Sequence, residues 1–318
     1  MTDPIAQPEP NAPELTVIVT VVDGGAALAR CLGALAAQEN PPAMEVLVPY
    51  DSTIADSAAL GAQFPHYRFV DMGAIADRPP ENAFEEHELF DRRRTAGLRL
   101  ARAPIVSMIE DRGWPRPGWA RAMVDAHAAH PDGVIGGAVE SAAKGMRRWA
   151  IFFVDFGRYQ APFDSENPEY VTDTNISYKR DAIMSVRDLW AYKYQESVIN
   201  WALAENGVSL RLDAGPVTVQ QREPLGLGEM AMERVHWGRV FGEVRARGKS
   251  FSERIKWIAV TPLLPAVLYV RHLRRQMRLG RHVGEYVYAT PAILYLLVFW
   301  SIGELMGYFE ASADGKPA

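Results

Sequence analysis

A short apolar segment that runs directly into two adjacent carboxylates constrains the fold of this chain more than any other feature. Ile105–Ile109 is mostly apolar, Glu110 and Asp111 follow at once, and a turn rich in glycine, proline and tryptophan comes next. Such a run predicts a buried strand. Its carboxylates would lie at the carboxyl edge of a sheet, where open α/β sheets bind ligands. Carboxylate oxygens suit Mg²⁺ or Mn²⁺ with phosphates, although two solvated acids before a turn explain the same residues.

The segments before this strand alternate between strand-like and helix-like patterns. The predicted elements are a strand at Leu15–Val22, a helix at Ala26–Gln38, a strand at Met44–Val48, a helix at Ile54–Phe64, a strand at Tyr67–Asp71, a helix at His87–Arg102 and a strand at Pro104–Ile109. Strands that alternate with helices imply right-handed βαβ units and a mostly parallel sheet.

The pattern changes after the carboxylate pair. The predicted elements there are a strand at Gly133–Val139, a helix at Met146–Tyr159, a strand or loop at Tyr170–Tyr178, a helix at Tyr194–Asn206 and two short strands within Val208–Val219. A chain of 318 residues can hold one large domain or two smaller ones. The single cysteine, Cys31, excludes an internal disulfide and fits a reducing compartment.

A basic block precedes and separates two apolar runs in the C-terminal part. From Arg234 to His282 there are twelve lysines or arginines and two acids, although the net charge of the chain is −5. Such a block binds nucleic acid, a membrane surface or a phosphate-rich ligand. The neighbouring apolar runs, Trp257–Val270 and Tyr286–Gly303, favour the membrane over nucleic acid.

The lengths of these runs limit how they can meet a bilayer. They contain 14 and 18 uncharged residues, and the connector between them has five arginines. The longer run is at the lower limit for a bilayer of about 30 Å, and the shorter one is below it. If both runs crossed the bilayer, the arginines of the connector would lie on the face opposite the soluble domain. The positive-inside tendency argues against that arrangement. We therefore predict an apolar helical hairpin in the cytoplasmic leaflet, with arginines at anionic head groups. Helices packed on the domain or in an oligomer interface are the alternative.

Six segments in a fixed order carry a resemblance to a known family. They are Val17–Val22 with the helix that follows, Glu45–Ser52, Arg92–Pro104, Ile109–Trp119, Thr174–Arg180 and Trp300–Tyr308. None is specific alone. Their order and spacing together resemble the family 2 glycosyltransferases, bacterial members included, over residues 15–245.

The resemblance implies a fold and a domain organisation. The fold would be α/β of the GT-A type, a Rossmann-like, mostly parallel mixed sheet flanked by helices, with a C-terminal apolar helical hairpin. The divisions would be a disordered tail at 1–14, a glycosyltransferase domain at 15–245, a basic and apolar membrane-associating region at 246–310 and a tail at 311–318. Within the domain, 15–119 would bind the nucleotide and 120–245 the acceptor.

The resemblance also assigns a nucleotide and metal site. A nucleotide-diphosphate sugar releases its nucleoside diphosphate when the sugar is transferred. A divalent cation, Mn²⁺ or Mg²⁺, would neutralise the negative charge that develops on the diphosphate. Asp111 is the expected metal ligand and Glu110 the expected ribose contact. Asp51 would accept a hydrogen bond from the base, Asp23 would support the same pocket, and Arg94 would reach the diphosphate. Asp23 and Asp51 also fit a role as turn residues.

Inverting transfer needs a general base that takes the proton of the acceptor hydroxyl. In the family this base is a carboxylate at the start of a late helix, which here is Glu196, and Asp173 is the second candidate. Glu196 also fits a first-turn acid favoured by the helix dipole. Asn175, Lys179 and Arg180 match the acceptor-side segment.

Three departures from the family pattern bear on the metal site and on Asp51. Arg112 stands where many members have a third acid or a histidine, so it would pair with Asp111 and compete with the metal, or bind phosphate itself. The late strand that often ends in a metal-binding histidine reads Val219–Arg222 here, without one. The residues before Asp51 are not the paired acids of many members.

Two further groups of residues, a pair of arginines and a glycine-rich loop with the histidine after it, can be interpreted in more than one way. Arg92 and Arg93 fit a solvated basic helix face as well as a diphosphate contact. His236 follows a glycine-rich loop, Leu225–Gly228, which could close over the substrates as active-site lids do.

The leading hypothesis is an inverting glycosyltransferase at the cytoplasmic face of the inner membrane. It would move a sugar from a UDP- or GDP-linked donor to a lipid-linked or polysaccharide acceptor, with an anionic membrane surface as a partner and no nucleic acid. Homo-oligomers through the C-terminal helices are a further option. The alternative is a catalytically weak or inactive GT-A-like scaffold of an envelope polysaccharide assembly system. Nucleotidyl transfer would require a basic glycine-rich loop after the first strand, which Asp23–Ala26 lacks.

Overall fold

The computed structural model describes residues 12–163, 165–222 and 225–311. The predicted tails at 1–14 and 311–318 therefore lie almost wholly outside the described residues. The chain forms two compact units. The first runs to Glu140 and resumes at Ser165–Gln220, and the second comprises the segment from Ser141 and the residues from Gln221 onward. These units reflect packing, and the functional boundary at residue 245 stays a prediction.

A mixed sheet of eight strands forms the first unit. The strands are β1 (Leu15–Thr20), β2 (Met44–Tyr50), β3 (Arg68–Asp71), β4 (Ile105–Glu110), β5 (Gly113–Pro115), β6 (Val134–Ser141), β7 (Asn175–Lys179) and β8 (Leu210–Gln220). Their order across the sheet is β3-β2-β1-β4-β7-β6-β8-β5. Every residue of β1 is buried, as expected for an apolar, β-branched central strand.

Helices of both units follow the strands in the chain. They are α1 (Gly25–Ala36), α2 (Ala83–Leu100), α3 (Trp119–Ala129), α4 (Met146–Asp155), α5 (Arg180–Ser185), α6 (Arg187–Trp190), α7 (Glu196–Glu205), α8 (Leu227–Ala246), α9 (Phe251–Val260), α10 (Leu264–Leu279) and α11 (Val283–Glu310). Helix α1 shows why they form: its apolar residues recur at helical spacing and pack against β1 in one core. The predicted α/β fold class, with a mixed sheet and a C-terminal apolar helix, is confirmed.

The topology of the sheet creates a switch point at one edge. Strand β1 pairs in parallel with β2 on one side and with β4 on the other. The connections after β1 and β3 therefore lead to opposite sides of β1, which makes the β1/β4 boundary a topological switch point. Strand β7 runs antiparallel to β4, so the amino end of β7 lies beside the carboxyl end of β4.

Several predicted elements have different bounds. Helix α2 begins at Ala83 rather than at His87, because the side chain of Asn82 caps its first turn. The helix predicted at Ile54–Phe64 is a 3₁₀ helix at Ser52–Ala62. The two short strands predicted within Val208–Val219 form the single strand β8. That strand is continuous because its last residues pair with β5, which the sequence analysis did not predict.

Glycines allow two helices of the second unit to touch along their backbones. A β-carbon on Gly303 of α11 would overlap the carbonyl oxygen of Val235 in α8, and one on Gly307 would overlap that of Arg239. Gly238 and Gly242 of α8 face the backbone of α11 in the same way. Each pair is four residues apart, so it lies on one helix face, and small residues let the backbones approach closely.

Helix α11 is the element that the sequence analysis placed at the membrane. Its 28 residues are long and apolar enough to cross a bilayer, and half of its most apolar window is buried within the protein. Core helices of other proteins meet the same criterion, so length and hydropathy alone are weak evidence. The predicted hairpin is reproduced only in part. The run Trp257–Val270 is divided between the end of α9, a 3₁₀ turn at Thr261–Leu263 and the start of α10, and most of the arginine connector continues α10. Helices α10 and α11 pack together and are joined at Gly280 in a left-handed conformation.

Candidate functional site

Carboxylates that are distant in the sequence meet at the switch-point edge of the sheet. Strands β1, β2 and β4 are parallel, so the residues that follow them share this edge, and the antiparallel β7 begins there. The acidic residues at this edge include Asp23, Asp51, Glu110, Asp111 and Asp173. The structure therefore brings together the acidic residues that the sequence analysis assigned to donor, metal and base.

Asp111 fixes the loop that follows β1. Its Oδ1 accepts hydrogen bonds from the backbone N–H groups of Val22 (3.0 Å) and Asp23 (3.3 Å), and its Oδ2 accepts one from Gly24 (2.8 Å). Burial raises the pKa of this carboxyl to about 6, against the hydrogen bonds from Gly24 and Val22, which lower it. Both oxygens are thus engaged inside the protein, and Asp111 has no exposed surface.

Arg94 is the centre of a buried ionic network. Its guanidinium pairs with Glu110 (2.5 Å), Asp173 (2.9 Å) and Asp91 (3.0 Å), and its side chain has no exposed surface. An isolated buried carboxylate would be costly, so this cation is what permits the acidic cluster. The expected contact between Arg94 and a diphosphate does not fit this arrangement, because the guanidinium is buried and already donates to three acidic side chains.

Glu110 keeps partial access to solvent within the network. Its side chain is 13% exposed, and its Oε1 accepts the hydrogen bond from Arg94. Burial and the charge of Asp173 raise the pKa of Glu110 to about 7, although Arg94 and Arg112 oppose the rise. The expected ribose contact by Glu110 stays a prediction.

Asp173 and Glu196, the two candidate bases, lie side by side. Glu196 is the first residue of α7, and its Oε2 accepts a hydrogen bond from the backbone N–H of Asp173 (2.8 Å). Burial, and next the charge of Asp173, raise the pKa of Glu196 well above its usual range. The Asp173 side chain is 12% exposed, so the pair reaches the surface of the edge.

Asp51 forms a buried ion pair with Arg93. Arg93 Nε donates to Asp51 Oδ2 (2.7 Å), and Arg93 Nη1 donates to the carbonyl of Val21 (2.5 Å). Burial acts to raise the pKa of Asp51, but hydrogen bonds from Arg93 and Thr53 outweigh it and lower the pKa. Asp51 has no exposed surface, so the pair joins β2, α2 and the end of β1 rather than presenting a carboxylate to a base. The sequence analysis did not identify this role of Arg93.

Asp23 and Arg112 form the accessible ion pair of the edge. Arg112 Nε and Nη2 donate to Oδ1 of Asp23 at 2.9 and 2.8 Å. The side chains are 30% exposed for Asp23 and 22% exposed for Arg112. The sequence suggested that Arg112 would pair with Asp111 or bind phosphate. In the structure Arg112 pairs with Asp23 and not with Asp111.

The predicted acceptor-side residues do not form a cluster at this edge, because only Asn175, at the start of β7, lies there. Asn175 is buried and bonded to the carbonyls of Ala138 (2.9 Å) and Pro216 (3.0 Å), so it ties three strands together. Lys179 pairs with Ile105 at the opposite end of β4, and Arg180 follows it. We therefore leave Asn175, Lys179 and Arg180 out of the proposed site, because one is enclosed and two lie at the far edge of the sheet.

The donor atoms at the edge do not fit a divalent cation in this conformation. Such a cation needs several oxygen ligands with free lone pairs. Asp111 directs its oxygens at three backbone N–H groups, and Asp51 and Glu110 accept from arginines. Among the described residues no group of three histidine, cysteine or acidic side chains could hold a metal ion. The expected Mn²⁺ or Mg²⁺ stays a prediction, and no catalytic step is assigned to it.

Replacing Asp91 with asparagine is expected to flatten the pH dependence of stability. Burial raises the pKa of Asp91 to about 8, although Arg94 opposes the rise. The folded state thus binds a proton that the unfolded chain has lost above about pH 4. This contribution is complete below pH 4 and is lost as the pH rises through 8. Between pH 6 and 9 we expect the free energy of unfolding of the wild type to fall by about 1–3 kcal/mol relative to Asp91→Asn.

Urea denaturation at pH 6, 7.5 and 9 measures this difference. Glu86→Gln, which removes an exposed carboxylate from the same helix, is the matched control and should follow the wild type. Parallel pH profiles for wild type and Asp91→Asn would contradict the prediction.

Comparisons with known proteins support the fold. No protein-family model and no curated protein matches the chain. The structure of the mannosyltransferase PcManGT from Pyrobaculum calidifontis, in complex with GDP-Man and Mn²⁺, matches with a TM-score of 0.56 and 14% identity. The alignment covers 92% of this chain and 87% of that one.

A second structure is less similar. It is S. aureus TarS 1–349 in complex with UDP-GlcNAc, with a TM-score of 0.47, 13% identity and coverage of 92% and 90%. That TM-score is too low to assign a shared fold, so the assignment stands on the first structure. The chain thus shares its fold with the mannosyltransferase PcManGT.

Proposed function

We propose that this protein is a nucleotide-sugar-dependent glycosyltransferase of the inverting type and a member of family 2. The observation that carries the proposal is the carboxyl pair of Asp173 and Glu196 at the switch-point edge of the sheet. A carboxylate with a raised pKa is suited to accept a proton near neutral pH. The donor would be a UDP- or GDP-linked sugar, since the structure that shares this fold holds GDP-Man.

The reaction needs one proton acceptor and one leaving group. The acceptor hydroxyl loses its proton to Glu196, and its oxygen attacks the anomeric carbon of the donor sugar. The bond between that carbon and the diphosphate oxygen breaks, and the electron pair stays on the nucleoside diphosphate. Attack opposite the leaving group inverts the anomeric centre.

The acceptor is proposed to be lipid-linked or a growing polysaccharide at the cytoplasmic membrane face. Support comes from the apolar residues that α11 leaves exposed, among them Val287, Leu294, Val298 and Phe309. Arginines of α10 lie next to α11 in the chain and suit anionic head groups. Family 2 membership, location at the inner membrane and self-association through these helices are parts of the same proposal.

Nucleotide binding tests the proposal directly. We expect 1 mM UDP or GDP to raise the unfolding temperature by a few degrees, since binding to the folded state stabilises it by mass action. Transfer of radiolabelled sugar from UDP- or GDP-linked donors to acceptors in membrane extracts then identifies the donor. ADP is the control nucleotide. The absence of any shift and of any transfer would contradict the enzyme assignment.

The alternative is an inactive scaffold with this fold. It is favoured by the partners of two expected site residues. Asp51 pairs with Arg93, Asp111 accepts hydrogen bonds from the backbone, and neither carboxylate is exposed. Binding of UDP or GDP distinguishes the two functions, since a scaffold that has lost the donor site would bind neither.

A further inference from the structure

The diphosphate of a nucleotide-sugar donor must meet positive charge at the switch-point edge. Its leaving group gains negative charge as the bond to the sugar breaks, and a positioned cation stabilises that charge. Three described arginines, Arg93, Arg94 and Arg112, pair with the carboxylates at this edge. Arg93 and Arg94 are at most 1% exposed and are committed to buried carboxylates.

Arg112 is the accessible cation of the three. Asp23 holds its Nε and Nη2, whereas Nη1 donates to no protein acceptor among the described residues. The side chain is held in one orientation with part of its guanidinium fork free. A guanidinium fork matches phosphate oxygens in bidentate geometry and stays charged at every relevant pH.

Hydrogen bonds organise the loop beside Arg112. It directly follows Asp111, which pins the backbone of Val22, Asp23 and Gly24. The loop after β1, Asp23 and Arg112 are therefore linked by hydrogen bonds at the switch-point edge. A guanidinium that is already in place loses little freedom when a phosphate binds.

The same geometry disfavours a divalent cation there. Asp111 already accepts three backbone hydrogen bonds and is enclosed in this conformation, and a cation beside Arg112 would be repelled by the guanidinium. Arg112 thus occupies the place at the strand end where the charge of a cation would be needed.

We propose that Arg112 binds the donor diphosphate and takes the part of a divalent cation, so that donor binding needs no metal. The inference rests on the proposed function. Arg112 donates hydrogen bonds to the phosphate oxygens throughout and transfers no proton. Asp23 orients the guanidinium and is a positioning residue.

Binding of GDP and UDP to the full chain, measured by calorimetry with EDTA or with Mn²⁺, tests this inference. We expect wild-type affinity for the nucleotide that binds to agree within about twofold in the two conditions. Arg112→Gln should weaken diphosphate binding by about 10–100-fold, the effect of a lost charged hydrogen bond. Affinity for the matching nucleoside, which lacks phosphate, should not change.

Arg102→Gln is the matched control. Arg102 also pairs with an acid, Glu45 at 2.8 Å, but this pair lies at the start of β2, the opposite edge of the sheet. Arg112→Lys keeps the charge without the fork and should fall between wild type and Arg112→Gln. Unfolding midpoints of all variants verify that they are folded.

The outcomes separate this inference from the proposed function. Wild-type binding that requires Mn²⁺ would overturn the inference and leave the glycosyltransferase proposal intact. Equal diphosphate affinity for wild type and Arg112→Gln would also overturn it. No binding of either nucleotide in either condition would overturn both.

Discussion

Replacing Glu196 with glutamine is expected to lower the rate of sugar transfer by about 10²–10⁴-fold, the usual contribution of a general base. Glutamine has nearly the same shape, and its oxygen can still accept the hydrogen bond from the backbone of Asp173. The substitution therefore removes the proton acceptor and keeps the local structure. Affinity for the nucleotide should stay unchanged, because this residue is assigned to the acceptor hydroxyl and not to the donor.

The pH profile gives a second measure of the same role. A base acts in its ionised form, and burial together with the charge of Asp173 raises the pKa of Glu196. The wild-type rate should therefore rise with pH up to that raised pKa, and the residual rate of Glu196→Gln should not follow this rise.

Glu205→Gln is the control for both measurements. It removes an exposed carboxylate at the other end of α7 and should behave as the wild type. A fully active Glu196→Gln would exclude Glu196 as the base. The same assay on Asp173→Asn would then test the second carboxyl of the pair.

Substituting alanine for Gly303 is expected to destabilise the protein by about 2–4 kcal/mol, in the upper range for overpacking. The new β-carbon would overlap the carbonyl oxygen of Val235 in α8. Backbone cannot move aside as a flexible side chain can, so the two helices must separate. The loss should exceed the roughly 1 kcal/mol that alanine gains over glycine in a helix.

Glycines on the same two helices provide controls. A β-carbon at Gly228 of α8 or Gly284 of α11 would meet nothing within 4 Å. Gly228→Ala and Gly284→Ala should leave the urea midpoint unchanged or slightly raised, whereas Gly242→Ala should resemble Gly303→Ala. Equal midpoints for all four variants would show that α8 and α11 do not pack in this way.

The sequence predicts the strands of the sheet and the carboxylates at their ends well. β1 and β4 are apolar runs that end at polar residues, and these local patterns suffice to place Glu110 and Asp111 at the edge. The capping residue Asn82 was also visible, and it would have moved the start of α2 to its observed place. The glycine spacing at Gly303 and Gly307 was a signal of close helix contact that the sequence analysis did not use.

The partners of the site residues could not be predicted in this way. Arg94 reaches Asp91 one helical turn away, a spacing that the sequence shows. Its contacts with Glu110 and Asp173 depend on strand order, which joins segments far apart in the chain. The hydrogen bonds of Asp111 to the loop after β1 depend on the same order. Residue type and spacing therefore indicated an acidic edge but not which carboxylates remain open to a ligand.

The second unit is built from segments that leave the ribosome at very different times. Helix α4 ends at Asp155, and Phe153 packs edge-on against Tyr286 of α11, with ring centroids 5.0 Å apart. Synthesis of the roughly 130 residues between these helices takes roughly 6–25 s at about 5–20 residues per second. During that interval the aromatic side chains of α4 lack their α11 partners. The yield of correctly folded protein will therefore depend on what covers α4 while translation continues.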